Sequence, residues 1–249
     1  MKKFNFYGKV RNLTEANTVT APENTDTDFY LYDAIDDYYG VSSTDVLNFL
    51  KKAGQDTAVT IHINSPGGSF YEGLAIASLL RAHKGTVTCV VDALAASAAS
   101  VVALAGDNIV MAQGSFLMIH NAWGIFSGFA SDLRKEADYL DKICDSMAVL
   151  YSKHSGISLE EIKAMMDAET WFNAEEAVER GFAHGVSESK PKASASTFDL
   201  SCYAKAPKSL ITVAEEQKKP EKLEETNEND EISAEHEACA RRLKLFEFV

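Results

Sequence analysis

Several things are scarce or missing in this 249-residue sequence, and each removes a class of protein. No stretch approaches the roughly 20 consecutive apolar residues needed to cross a bilayer, so no membrane partner is expected. The charged start MKKFNFYGKV is not followed by an apolar core. That argues against a secretory leader and for a protein that stays in the cytoplasm. Cysteine is sparse: Cys89, Cys144, Cys202 and Cys239 stand far apart and form no CxxC pair. Idle thiols in a reducing compartment are expected, and no metal site. A basic excess is missing as well. The formal net charge of −13 leaves no basic stripe for a nucleic-acid backbone. The GxxxxGK[ST] pattern of a phosphate-binding loop is also absent, and nothing in the chain calls for a cofactor.

What is present, from about 27 to 186, is an alternation of strand-like and helix-like pieces. TAVTIHIN alternates with Val59, Ile61 and Ile63 on one face, which predicts a strand. SPGGS and the helix-forming YEGLAIASLLRAH follow it. GTVTCVVDA predicts a second strand, and a helix of small residues is expected over 95–105, closed by Gly106. NIVMA and FLMIHNA read as two strands parted by a Gln113-Gly114 turn. From 131 to 155 the apolar residues Leu133, Ala137, Leu140, Ile143, Met147 and Leu150 recur every three or four positions, the mark of a long amphipathic helix. LEEIKAMMDAE and AEEAVERG predict two shorter helices. Such β-then-α repetition belongs to the α/β class.

Beyond Val186 the composition changes. ESKPKASAST is small and polar, and AEEQKKPEKLEETNENDEISAEHEA is charged and of low complexity. The expected organisation is an N-terminal strand or arm (1–26), a folded domain (27–186) and an acidic, largely unfolded tail (187–249) with an apolar end, RRLKLFEFV.

Three stretches bear on chemistry. DALAASAASVVALAGD, residues 92–107, sets Ser97 and Ser100 among alanines. The alanines either allow close packing, or leave Ser97 bare at a helix N-terminus, where its successor's N–H and the helix dipole favour an oxyanion. Ser100 lies one turn inside and is expected to pack. INSPGG, 63–68, is a Gly-Gly turn between strand and helix, and MIH places His120 at a strand end. DAETWFNAEEAVERGF carries Asp167 and Glu169, either solvated acids or orienting carboxylates. His62 reads as structural, His154 and His184 as surface residues, and Trp171 as a packing residue.

Together, INSPGG, DALAASAAS, MIHNAWG and ETWFNAEEAVERGF resemble the proteolytic subunit of the Clp protease, a serine peptidase of the crotonase-like superfamily. They resemble more closely the Clp-related prohead (head maturation) proteases of tailed phages. Ser97 follows Gly68 by 29 positions and Glu169 follows His120 by 49, intervals that match the family's without a gap. The resemblance implies a crotonase/Clp-protease-like fold of repeated β-β-α units with a protruding long helix. It implies Ser97 as nucleophile, His120 as general base, and the N–H groups of Gly68 and Ala98 as oxyanion hole. The family usually has aspartate where Glu169 stands, so Glu169 is the implied acid and Asp167 its competitor. Protein or peptide substrates follow, with capsid or scaffold segments in the phage case, and so does a ring-forming homo-oligomer. An AAA+ unfoldase partner belongs to the alternative, an ATP-dependent Clp-type subunit, and a non-catalytic ring or scaffold protein is the non-enzymatic alternative. A signal-peptide peptidase would use a Ser-Lys dyad and usually a membrane segment; a crotonase-type acyl-CoA enzyme would not need Ser97 and His120 in register. After His120 the chain lacks the family's Pro and one Gly-Gly pair, so no cleavage preference carries over.

Overall fold

The computed structural model describes residues 23–187, 198–200, 202–207 and 210. The arm before residue 23, Cys239 and the acidic run with its apolar end (211–249) lie outside these. The element order is β1 (Asp28–Leu31), α1 (Ser43–Ala53), β2 (Val59–Ser65), α2 (Phe70–Ala82), β3 (Val87–Ala96) and α3 (Ala98–Ala103). Then come β4 (Asn108–Ala112), β5 (Phe116–Ile119), α4 (Ala130–Ser155), α5 (Leu159–Asp167), β6 (Thr170–Asn173), α6 (Ala174–Glu179) and β7 (Gly185–Ser187). Each strand anticipated above is present, and the helices follow with small shifts of boundary. The expected small-residue helix begins three residues later than its composition suggested. Ala95 and Ala96 instead extend β3, where they pair with Leu117 and Met118.

Strands β1-β2-β3-β4-β7 form a parallel sheet in that order. Parallel sheets are covered on both faces, so their strands read as nearly continuous apolar runs. Here Leu31, Ile63, Val91 and Met111 stand in register across four strands, and Phe29, Ile61, Cys89 and Ile109 form the next row. All eight are buried, each side chain contributing about 1.5–3 kcal/mol by removal from water. On the sheet's other face His62 is also buried; its Nδ1 lies 2.7 Å from Asp92 and its ring stacks on Tyr30. This bears out its reading as a structural histidine.

β3 is the branch point. Its first half, Thr88–Val91, pairs with β4, and its last three residues, Leu94–Ala96, pair with β5 instead. β5 in turn pairs antiparallel with β6. The 26-residue α4, about 39 Å long at 1.5 Å per residue, buries side chains only in its second half, with Tyr139 and Leu140 of the first half in contact with the body. Ile143, Met147, Ala148 and Tyr151 are buried there, while Leu133 and Ala137 at the other end are exposed.

The chain after β7 departs from expectation. Phe198, Leu200, Tyr203 and Ala206 are buried against Ala93, Leu94, Ala96 and Met118. The boundary drawn at 186 therefore does not mark the end of packed chain. Composition averaged over the polar run hid a few apolar residues that have a face of β3 and β5 to bury against.

Candidate active site

The branch in the sheet brings three strand ends together. Ala96 pairs with Met118 at the end of β3, and the Ser97 N–H donates to the Met118 carbonyl at 3.0 Å. Ile119 pairs with Thr170 in the antiparallel β5–β6 register, so the next pair outward is His120 and Glu169. Three residues far apart in sequence thus stand just past the last rungs of adjacent strands. The Ser97 Oγ lies 2.8 Å from His120 Nε2.

Ser97 makes the turn between β3 and α3 with φ 55 and ψ −123, a conformation that non-glycine residues rarely adopt. Such strain costs about 1–3 kcal/mol and persists only where the surroundings over-determine it. Close packing does so here. Gly67 has φ 89, and a Cβ there would lie 2.8 Å from that of Ser97. Gly73 of α2 lets Ala98 approach, since its own Cβ would lie 3.1 Å from that of Ala98. The alanines flanking Ser97 are therefore a packing requirement and a means of baring the hydroxyl at once.

Gly68 and Ala98, each with a backbone N–H outside the described backbone pairing, line the same cleft. Ile35 bridges to the Gly67 carbonyl and the Ser69 N–H, which leaves the N–H of Gly68 itself outside that bridge. Ala98 is the first residue of α3, where a helix has no internal partner for its N–H. Gly68, Ala98, Ser97 and His120 line one cleft of about 240 Å³, walled by aromatic side chains including Tyr71, Trp123 and Phe126.

Ser100 does more than fill space. Its hydroxyl donates to the Ser97 carbonyl at 2.6 Å and lies 2.8 Å from the hydroxyl of buried Tyr151. Ser100→Ala leaves that hydroxyl without its described partner, so a loss of about 1–3 kcal/mol is expected in urea denaturation. Tyr151→Phe added to it should recover most of the loss, because removing both polar groups leaves nothing unsatisfied.

The two carboxylates have separate partners. Asp167 accepts from Asn121 Nδ2 at 2.7 Å. Glu169, itself at φ 50, accepts from Trp171 Nε1 at 3.1 Å and from the backbone N–H groups of Ala204 at 2.9 Å and Lys205 at 2.6 Å. Trp171 thus packs and also binds the acid. Among the described residues no hydrogen bond joins Glu169 to His120. Tyr203 sets its ring edge-on to His120, with centroids 5.4 Å apart, and its hydroxyl donates to the Pro66 carbonyl. Tyr203 and the two N–H donors escaped sequence reading; the only signal was the apolar set 198, 200 and 203.

Burial is the larger influence on His120 and pushes its imidazole down to about 4, the charge of Glu169 offsetting only part. The unfolded chain's imidazole titrates near 6.5. Between these values the unfolded state binds a proton that the folded state refuses, so stability falls as pH drops from 6.5 towards 4. By linkage this amounts to about 3 kcal/mol. Denaturation at pH 7 and pH 4.5 should show His120→Gln losing markedly less stability than the parent chain. Equal losses would assign the acid sensitivity to other groups.

Among the described residues the thiols offer no rival nucleophile. Burial raises Cys89 to about 12 and Cys202 to about 11, and it raises Cys144 as well. Among the described residues no cluster of His, Cys, Asp or Glu could hold a metal ion, and no helix is long and apolar enough to cross a membrane.

The family model described as Clp protease matches residues 14–190. The chain belongs to the Clp protease family. It is therefore a serine-type peptidase by family, with the α/β fold that its resemblance implied. The ATP-dependent Clp protease proteolytic subunit of Bacteroides fragilis is 33% identical over 164 residues, 63% of this chain and 77% of the relative. The protein of the same description from Porphyromonas gingivalis is 32% identical over 165 residues, 66% and 74% of the two chains. A solved structure of a ClpP1 point mutant from Listeria monocytogenes superposes with a TM-score of 0.59 at 25% identity. That match covers 66% of this chain and 92% of the other.

Proposed function

We propose that this Clp-family chain is an endopeptidase whose triad is Ser97, His120 and Glu169, with the N–H groups of Gly68 and Ala98 as its oxyanion hole. The observation that carries this is the 2.8 Å contact between Ser97 Oγ and His120 Nε2 in a cleft that those two N–H groups share. The Ser97 oxygen attacks the scissile carbonyl while His120 Nε2 takes its proton. The two backbone donors receive the oxyanion, and the Glu169 carboxylate stabilises the imidazolium. His120 then protonates the leaving amine, and a water activated by the same nitrogen releases the acyl group. A substrate strand laid along the cleft is read through its main chain more than its side chains. Labelling by a serine-directed fluorophosphonate, lost in Ser97→Ala, tests this reading; an unlabelled parent chain would leave a ring or scaffold protein without catalysis.

The biological role we propose is maturation of a phage prohead, by cleavage of capsid or scaffold segments in the host cytoplasm and procapsid. The acidic, low-complexity C-terminal extension supports it, as a segment suited to contacting scaffold. Co-expression with phage capsid and scaffold proteins should give cleaved products, absent with Ser97→Ala. Intact substrates, cut only when an AAA+ unfoldase and ATP are added, would favour the role of an ATP-dependent proteolytic subunit. A homo-oligomeric ring accompanies either role. The exposed Leu133 and Ala137 on the outer half of α4 support it, since among the described residues nothing buries them.

A further inference from the structure

Residues 198–207 act on the site from behind. The cleft walls include no residue of this segment, so it does not plug the substrate path. Its described contacts with the site are to His120, to Glu169 and, through the Tyr203 hydroxyl, to the Pro66 carbonyl. Tyr203 packs edge-on against the imidazole and, at 5.8 Å between centroids, against the Trp171 indole. Its neighbours Ala204 and Lys205 aim their N–H groups at the two oxygens of Glu169, at 2.9 and 2.6 Å. The Lys205 ammonium also donates to the Ala168 carbonyl, fixing the backbone just before the acid. Phe198, Leu200 and Tyr203 anchor the segment in an apolar patch on β3 and β5.

Glu169 stands opposite His120 in the strand register, yet its described hydrogen bonds all go elsewhere. Hydrogen bonds to a carboxylate are among the stronger ones, and three N–H donors compete here with one imidazole. We propose that residues 198–207 form a strap that holds the Glu169 carboxylate away from His120 Nδ1, so that strap docking sets the fraction of molecules with a complete triad. The proposal rests on the reading of Glu169 as the acid. Ala204 and Lys205 are positioning residues in this scheme, acting through Glu169 without touching substrate. Undocking frees the carboxylate to accept from Nδ1–H, which fixes the tautomer that presents Nε2 to Ser97.

The groups facing His120 are Ser97 from the β3–α3 turn, Glu169 from just before β6, and Tyr203 from the strap. When the strap leaves, Glu169 loses its two backbone donors and Tyr203 leaves the imidazole, so the test removes the donors to Glu169 while Tyr203 is kept. The test uses the full-length chain and a short fluorogenic peptide. Ala204→Pro removes one N–H donor at an exposed position, and Lys205→Pro removes the other together with the ammonium bond to the Ala168 carbonyl. Each is expected to raise kcat by about tenfold or more, because acid orientation is worth orders of magnitude in a triad, while KM stays nearly constant. The acid limb of the kcat/KM profile should move up from about 4 towards the ordinary imidazole value, as a carboxylate joins the ring. Proton NMR should show a strongly downfield His120 Nδ1–H signal in these variants that is weak in the parent. Tyr203→Phe, which keeps the ring and loses the hydroxyl's bond to Pro66, should change kcat in the same sense by less.

An unchanged or lower kcat in folded proline variants, with no new downfield signal, overturns the strap proposal. Glu169→Gln placed on Lys205→Pro separates the two readings. A return to the low rate supports both, whereas a rate that stays high removes Glu169 as the acid and, with it, this mechanism for the strap.

Discussion

Ser97→Ala is expected to lower peptide-bond hydrolysis by a factor on the order of 10⁴ to 10⁶, and His120→Ala by a similar factor, since members of a triad act as a unit. The geometry gives the reason. Ser97 Oγ has its described hydrogen bond with His120 Nε2 at 2.8 Å. A serine without a base beside it is a poor nucleophile, and an imidazole without the serine has nothing to activate. The double variant should be scarcely worse than either single one. Assembly and folding should survive Ser97→Ala, because only an oxygen is lost, and alanine occupies the positions on either side. Kinetics on a peptide, with sedimentation as a control for assembly, check both points. A Ser97→Ala protein that retains activity would disprove the nucleophile assignment, and Ser100 would not replace it: its hydroxyl is committed to the Ser97 carbonyl and Tyr151.

Glu169→Gln has the second largest expected effect, a fall in kcat of about 10² or more in the parent chain and towards 10⁴ once the strap is released. The glutamine keeps nearly the shape of the side chain but cannot balance the charge of the imidazolium. The smaller parent effect follows from competition, since Ala204, Lys205 and Trp171 already draw on the carboxylate. Asp167→Asn is expected to cost about tenfold or less, a local effect on the Asn121 contact without a charge opposite the imidazole. Both variants are compared on one substrate at one pH. The reverse order would transfer the acid's role to Asp167.

The repeated strands and helices could be read from the sequence because apolar periodicity is a local property. Ile61 and Ile63 alternate whatever lies beside them, and the residues buried along α4 follow its turn. Motifs such as INSPGG and DALAASAAS were legible for a related reason. A glycine forced by close approach, or an alanine pressed against a neighbouring helix, admits few substitutes and so leaves a visible trace. The pairing of Ser97 with His120 followed from family resemblance, and the tertiary structure supplied its cause, the change of partner along β3 from β4 to β5. Partner choice between strands leaves no mark in either strand's own pattern. Where Glu169 spends its hydrogen bonds was decided by the fold alone. The Ala204 and Lys205 backbone N–H groups are carried by every non-proline residue, so no side-chain pattern announces them. Only the folding back of 198–207 onto the side chains of β3 and β5 puts those two donors, rather than others, against the acid.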